Sequence, residues 1–337
     1  MTSRELFTNT LLHQPVERLP RDLWGVPYID MFRKSEKDRL LVMYPMDLTG
    51  PSSFRYGASP YSKGTHNKIG RYTDVYGVTW EVLEDGIVGE VKDPIIKTKA
   101  DLNNYRLPWE ILDNAVDDGQ SEAYKNTDLF VLAGTMVHLF EILQFLRGPE
   151  QLFCDIAVED PIFLELLERF HEFNLKDMKM ISSLAADGVA FNDDWGTQIA
   201  LLISPKVWRK HFKPLYKEYC DIIHKAGKFA FFHSDGHIEA IMDDLIEIGV
   251  DALNSQLFCM DIEKVGEKYA GKIAFWGELD RQWILPFGAE GDVRAGVRRL
   301  EKALLGKKRS GLIAQLSWET LTPFDNVVAA YDEYGKL

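Results

Sequence analysis

Cysteine is scarce. Three occur in 337 residues, Cys154, Cys220 and Cys259, and none stands at CxxC spacing. That excludes a disulfide framework and a thiolate zinc knuckle as the organising device. Basic charge is short as well: 39 Lys and Arg face 52 Asp and Glu, for a formal net charge of -13 and a pI near 5.2. A duplex-binding or anionic-membrane surface needs a clustered basic excess, so neither nucleic acid nor membrane is an expected partner. No apolar run approaches the roughly 18 residues of a membrane span. Residues 1–9 are polar with no apolar stretch behind them, so no signal peptide is read and a cytoplasmic location is expected. No GxGxxG follows a strand-like run, which argues against a dinucleotide site.

What the chain does have is alternation. Residues 228–232 are a short aromatic-rich run, stopped by His233-Ser234-Asp235-Gly236. Ile238, Ile241, Met242, Leu245, Ile246 and Ile248 then fall at helical spacing, Gly249 closes the helix, and residues 250–253 begin another strand. The same strand, polar loop and helix recur from residue 128 onward. Strands are expected at 128–133, 188–191, 272–276 and 312–316, and one helix is expected from the Ser204-Pro205 start to Gly227. Strict alternation over this length predicts an α/β fold, a closed (β/α)8 TIM barrel. A helical and hairpin extension precedes it: residues 3–13 read as an amphipathic helix, and 70–97 as a hairpin or flap. Residues 42–50 read as a loop-bordered segment with Asp47 exposed at its end. The chain is read as a single domain over 1–337, with 1–120 the extension and first barrel elements and 121–337 the regular βα repeats.

In such a barrel chemistry sits at the C-terminal ends of the strands. Those ends carry Asp193, Asp194, His233, Asp235, Gln256, Glu278, Asp280 and Glu319. So many acids at one mouth require a cation, either a metal or a substrate charge, unless they cap helices or pair with Arg281 or Arg147. His233 and Asp235, with Glu278 or Glu319, form a chemically reasonable His/carboxylate zinc site. Trp195 and Trp276 flank the same ends and are candidate walls for a flat ligand.

The run from Gly188 to Asn254, with FWGELD at 275–280, HQPVERLP at 13–20 and TPFDN at 322–326, resembles the uroporphyrinogen decarboxylase superfamily. The resemblance covers nearly the whole chain. It implies a (β/α)8 barrel with an N-terminal extension and one of two chemistries: decarboxylation of uroporphyrinogen III, or methyl transfer involving corrinoid proteins. Against the decarboxylase branch, an arginine-rich substrate-gripping motif is replaced by residues 22–28, which contain no arginine. Its serine falls on Asp194, its tyrosine near Gln144 and its late histidine near Leu316. The one retained feature is an aspartate matching Asp47, which implies substrate binding there. The methyltransferase branch, that of the methylcobamide:coenzyme M enzymes, resembles this chain in its DDxG-type and HxCG-type loops. Its zinc-binding histidine is His233. Its two cysteines fall on Asp235 and near Leu316, and a glutamate falls on Gln256.

The expectation is therefore a corrinoid-dependent methyltransferase that demethylates a small donor, an aromatic O-methyl compound among the candidates. His233, Asp235, Asp193 and Asp194 are expected to be catalytic, and Trp195, Gln256, Trp276 and Asp47 to bind substrate. Zinc, if held, is expected on His233, Asp235 and Glu319 or Glu278, without the usual cysteines. The corrinoid should arrive on a partner protein, since the chain has no DxHxxG-type motif. Homodimerisation is left open. The alternatives are uroporphyrinogen III decarboxylase and a non-catalytic barrel that serves as a binding subunit.

Overall fold

Eight parallel strands surround one axis in the computed structural model, which describes residues 1–51, 54–117, 124–306 and 309–336. In chain order they are β1 (Arg21–Gly25), β2 (Leu48–Thr49), β3 (Phe130–Gly134), β4 (Gly188–Asn192), β5 (Phe229–Ser234), β6 (Ala252–Ser255), β7 (Ala274–Trp276) and β8 (Leu312–Trp318). Their order in the sheet is β1-β8-β7-β6-β5-β4-β3-β2. Where β1 and β2 meet, the Asp47 N–H donates to Arg21 O at 3.0 Å. The result is a nearly closed (β/α)8 barrel, as the alternation predicts. Among the described residues, no helix is long and apolar enough to cross a membrane.

Strand parity decides what faces the axis, because successive side chains point to opposite faces. Phe130, Leu132, Phe231, Ala252, Ala274, Trp276 and Ile313 form the inner cluster, with Trp24, Ala190 and Phe229 packed against it. The alternate residues, among them Val189, Phe191, Phe232, Leu253 and Phe275, join the larger core under the helices. The N-terminal helix, Ser3–Leu11, plugs the bottom of the barrel. Thr2 caps it, and Phe7 stacks on Phe130 with ring centroids 4.9 Å apart.

Three details depart from the sequence reading. The helix expected over 204–227 is two, Pro205–His211 and Lys213–Lys225. Pro214, in the first turn of the second, has no N–H to continue the ladder, so the chain breaks at Phe212. The flap is a three-stranded antiparallel sheet, Gly70–Thr73, Thr79–Val82 and Glu90–Val91, rather than a hairpin. Asp47 is 1% exposed, not exposed. It precedes β2 and so lies at the N-terminal end of the barrel, where Arg18, Ser3 and the Arg21 N–H surround it. The division at 120/121 lies outside the described residues.

Candidate active site

His233 continues the inward row Phe229, Phe231, and parity therefore points its ring into the barrel just below the mouth. Its orientation is set by a chain of donors. Asn254, its register partner on β6, donates through Nδ2 to Gln315 Oε1 at 3.1 Å and to Trp276 O. That leaves Asn254 Oδ1 as an acceptor, 2.6 Å from His233 Nδ1. Nδ1 must then carry a proton, which leaves Nε2 as the ring nitrogen placed to take a ligand. Nε2 faces Asp194 Oδ1 at 3.6 Å and Asp235 Oδ1 at 3.7 Å. Below the ring, Trp24 approaches edge-on at 5.1 Å and Trp276 meets Trp24 at 4.9 Å. Both indole N–H groups donate to Asp22 Oδ2, at 2.9 and 2.7 Å, and burial pushes that carboxyl up to about 6.

The two loops that carry the aspartates are locked together. The Asp235 N–H donates to Asp194 Oδ1 at 2.9 Å, and the Gly196 N–H to Asp235 O at 3.1 Å. Gly236 lies at φ +82°, and a Cβ there would stand 2.2 Å from the Gly196 backbone. Glycine is needed at 236 both for the left-handed turn and for the close approach.

Arg281 supplies the cation that so many acids require. It contacts Asp235, Glu278 at 3.0 Å and Glu319 at 3.4 Å. Ser317 Oγ also donates to Glu319 at 2.8 Å. Burial raises Glu278 to about 8, with Arg281 opposing and Asp235, Glu319 and Asp280 adding to the rise. Asp235 Oδ1 and Glu278 Oε2 are buried with no hydrogen-bond partner among the described residues. Arg147 pairs with Asp155 at 2.6 Å elsewhere in the fold and not with the acids of the mouth.

The structure sorts the expected residues. Asp194, His233 and Asp235 come together, with one ligand atom from each inside a 4.8 Å group. Glu278 and Glu319 are drawn to Arg281 instead of joining them. Asp193 does not reach the mouth. It follows inward Asn192 and therefore points outward, where it accepts from the N–H groups of Phe140 and Glu141 at 2.5 and 2.8 Å and from Tyr216. Burial pushes it up to about 7 against those donors. Trp195 is 0% exposed and stacks on Phe140 at 4.2 Å, so it is core rather than a ligand wall. Trp276 lies inside the barrel as the floor. Gln256 accepts from Gln198 at 2.8 Å and lines a cleft of about 100 Å³ with Cys259, Glu278 and Arg281. Asp280 caps the following turn through Gln282 and Trp283 N–H. Asp47 is at the opposite end.

Glu141 was not anticipated. It stands in the first turn of the helix Leu139–Arg147 and accepts from Asn192 Nδ2 at 3.4 Å. Burial raises its carboxyl to about 9, helped by the charges of Asp194, Asp193 and Asp235. Burial also raises Asp194. The available signal for Glu141 was its place in the first helical turn after β3, at the mouth end of the barrel.

A zinc ion fits the group His233 Nε2, Asp194 Oδ1 and Asp235 Oδ1. Ligand atoms of a tetrahedral site with ordinary Zn–N and Zn–O bonds lie about 3.4 Å apart, and His233 Nε2 stands 3.6 and 3.7 Å from the two aspartate oxygens. The tautomer is correct, the partner on Nδ1 is in place, and Asp235 Oδ1 lacks another partner. Thiolate is not on offer: burial pushes the Cys259 thiol up to about 11.

The fold aligns with a methyltransferase from Methanosarcina mazei at TM-score 0.71 and 14% identity, covering 99% of this chain and 98% of that one. Two glycosidases align less well. Xylanase 10B from Thermotoga maritima gives TM-score 0.46 at 10% identity, covering 100% and 98%. A GH113 beta-1,4-mannanase gives 0.41 at 11%, covering 95% and 94%. No curated protein matches the sequence. Residues 72–334 match the family described as Uroporphyrinogen decarboxylase (URO-D), and the chain belongs to that family.

Proposed function

We propose that the mouth catalyses methyl transfer from a small methyl donor, an aryl methyl ether among the candidates, to a corrinoid carried by a partner protein. The observation that carries this reading is the Asp194–His233–Asp235 group, with its preset tautomer and unpartnered oxygen. The likeness to a methyltransferase supports it. Zinc held by His233, Asp194 and Asp235 would act as a hard Lewis acid on the donor oxygen. Asn254 holds the imidazole, and Arg281 holds Asp235 while balancing Glu278 and Glu319. Glu141, protonated at neutral pH, supplies a proton to the departing oxygen. In that step the O–CH3 bond breaks with its electron pair on oxygen, the methyl passes to the acceptor, and the proton completes the alcohol or phenol. Ile199, Trp283 and Leu321 are exposed on the loops after β4, β7 and β8, an apolar rim on which a partner can dock.

The decarboxylase reading meets an acidic mouth. Asp235, Glu278 and Glu319 engage Arg281, with Asp194 close by, so the guanidinium is already taken up by the protein's own carboxyls and is not left to grip a polycarboxylate. The non-catalytic reading leaves the buried, unpartnered carboxylate oxygens without a use.

The test uses 13C-methyl 4-methoxyphenol with free cob(I)alamin as acceptor and zinc present. Labelled methylcobalamin, formed by the wild type and not by His233→Ala, is the expected result. Formation at equal rates in both, or in neither, contradicts the reading.

A further inference from the structure

The three-stranded antiparallel sheet takes no part in the mouth chemistry, yet it covers a cavity of about 300 Å³. We infer that this cavity, between the sheet and the start of the helix Leu139–Arg147, is a second ligand site that takes an uncharged, planar aromatic compound. The inference goes beyond the methyl-transfer reading and does not depend on it.

The walls are rings in mutual contact. Tyr72 and Trp80 lie 3° from parallel with centroids 6.1 Å apart. Trp80 meets Phe145 at 4.7 Å and 68°, and Tyr76 meets His138 at 5.7 Å and 71°. These walls offer ring faces and edges together, the arrangement aromatic pairs prefer. The cavity's volume falls at the lower end of small-molecule sites, roughly 300–1,000 Å³.

His66, exposed at the rim against Tyr72, is a titratable side chain of the lining, but the inner wall among the described residues offers no free charge. Asp74 is the carboxylate there, and its oxygens are spent: Oδ1 accepts from the Tyr76 and Val78 N–H groups at 2.9 Å each, and Oδ2 from Trp80 Nε1 at 2.8 Å. Burial pushes His138 down to about 4, so it is neutral at physiological pH and meets a ligand hydroxyl or ether oxygen as a hydrogen-bonding group. A charged ligand would lose its hydration here without gaining a partner. Val88, 62% exposed, marks the opening. None of these lining residues belongs to the mouth cluster.

Titration calorimetry with p-cresol and with 4-methylbenzoate tests this. Saturable p-cresol binding is expected, with the benzoate weaker by about tenfold or more. Two variants should each weaken p-cresol by a similar factor: Phe145→Ala, which removes a wall, and Val88→Trp, which fills the opening from a surface position and leaves the fold untouched. His233→Ala should bind p-cresol as the wild type does. The inference is overturned if p-cresol shows no binding up to about 10 mM. It is equally overturned if the benzoate binds as well, or if His233→Ala loses binding while Val88→Trp keeps it, since the ligand then sits at the mouth.

Discussion

At the bottom of the barrel Asp47 meets Arg18, and at the mouth Asp235 meets Arg281. Both are aspartate–arginine contacts in the same barrel, but their surroundings differ. Asp47 accepts from both Arg18 nitrogens at 2.6 Å, from Ser3 at 2.6 Å and from the Arg21 N–H at 2.8 Å. Burial works to raise its pKa, but those donors and the Arg18 charge together hold it below the usual carboxylate value. At the mouth the balance is reversed. Arg281 is shared among Asp235, Glu278 and Glu319, and among the described residues Asp235 Oδ1 and Glu278 Oε2 find no hydrogen-bond partner. A satisfied buried pair fixes structure, whereas a cluster with unsatisfied acids is maintained at a cost to stability, as functional sites are.

The comparison can be broken most forcefully at the bottom. Asp47→Ala removes the acceptor of Arg18, Ser3 and the Arg21 N–H and should destabilise the protein by about 1–3 kcal/mol in urea unfolding. Asp235→Ala leaves Arg281 with Glu278 and Glu319 and should change stability by less than about 1 kcal/mol. Equal losses would erase the distinction. Gly236→Ala should act on function as well as stability, because it forces the two aspartate loops apart. A loss of methyl transfer of about tenfold or more is expected together with a lower unfolding midpoint, about 1 kcal/mol or more, read by the two assays in parallel.

A gentler probe is pH. Glu141 titrates near 9 in the fold against an ordinary glutamate value when unfolded. The folded state therefore holds the proton more tightly, and stability is full at low pH and falls as pH rises toward 9. Glu141→Gln should flatten that fall, seen as a melting temperature less sensitive to pH between about 5 and 9. An unchanged slope would remove Glu141 as the resident proton. The smallest expected signal is uroporphyrinogen turnover, which should be undetectable. Coproporphyrinogen formation would reverse the argument from the acidic mouth.

Much of the barrel was legible because strand, polar loop and helix alternate with clear stops. His233, Asp194 and Asp235 were legible because each ends or follows a strand. The misplacements share a physical cause. One residue of parity sends Asp193 and Trp195 to the outer core while His233 points inward, and the expected strand ended before that parity could be applied. Asp47 reads as exposed in a loop-bordered segment, and the two-residue strand that follows it leaves too little pattern to show that it is buried at the bottom of the barrel. Glu141 became acidic-site chemistry only through burial beside Asp194, a contact across 53 residues of sequence. Arg281 was named as a partner, but only three-dimensional proximity reveals that it serves Asp235, Glu278 and Glu319 at once.

The central claim is that Asp194, His233 and Asp235 form one cation-binding group while Glu278 and Glu319 belong to Arg281. Zinc titration calorimetry of the metal-stripped protein tests it most directly. One equivalent should bind to the wild type and to Glu319→Gln, and binding should be lost in His233→Ala and Asp194→Ala. No uptake by the wild type, or uptake undiminished in His233→Ala, would contradict it.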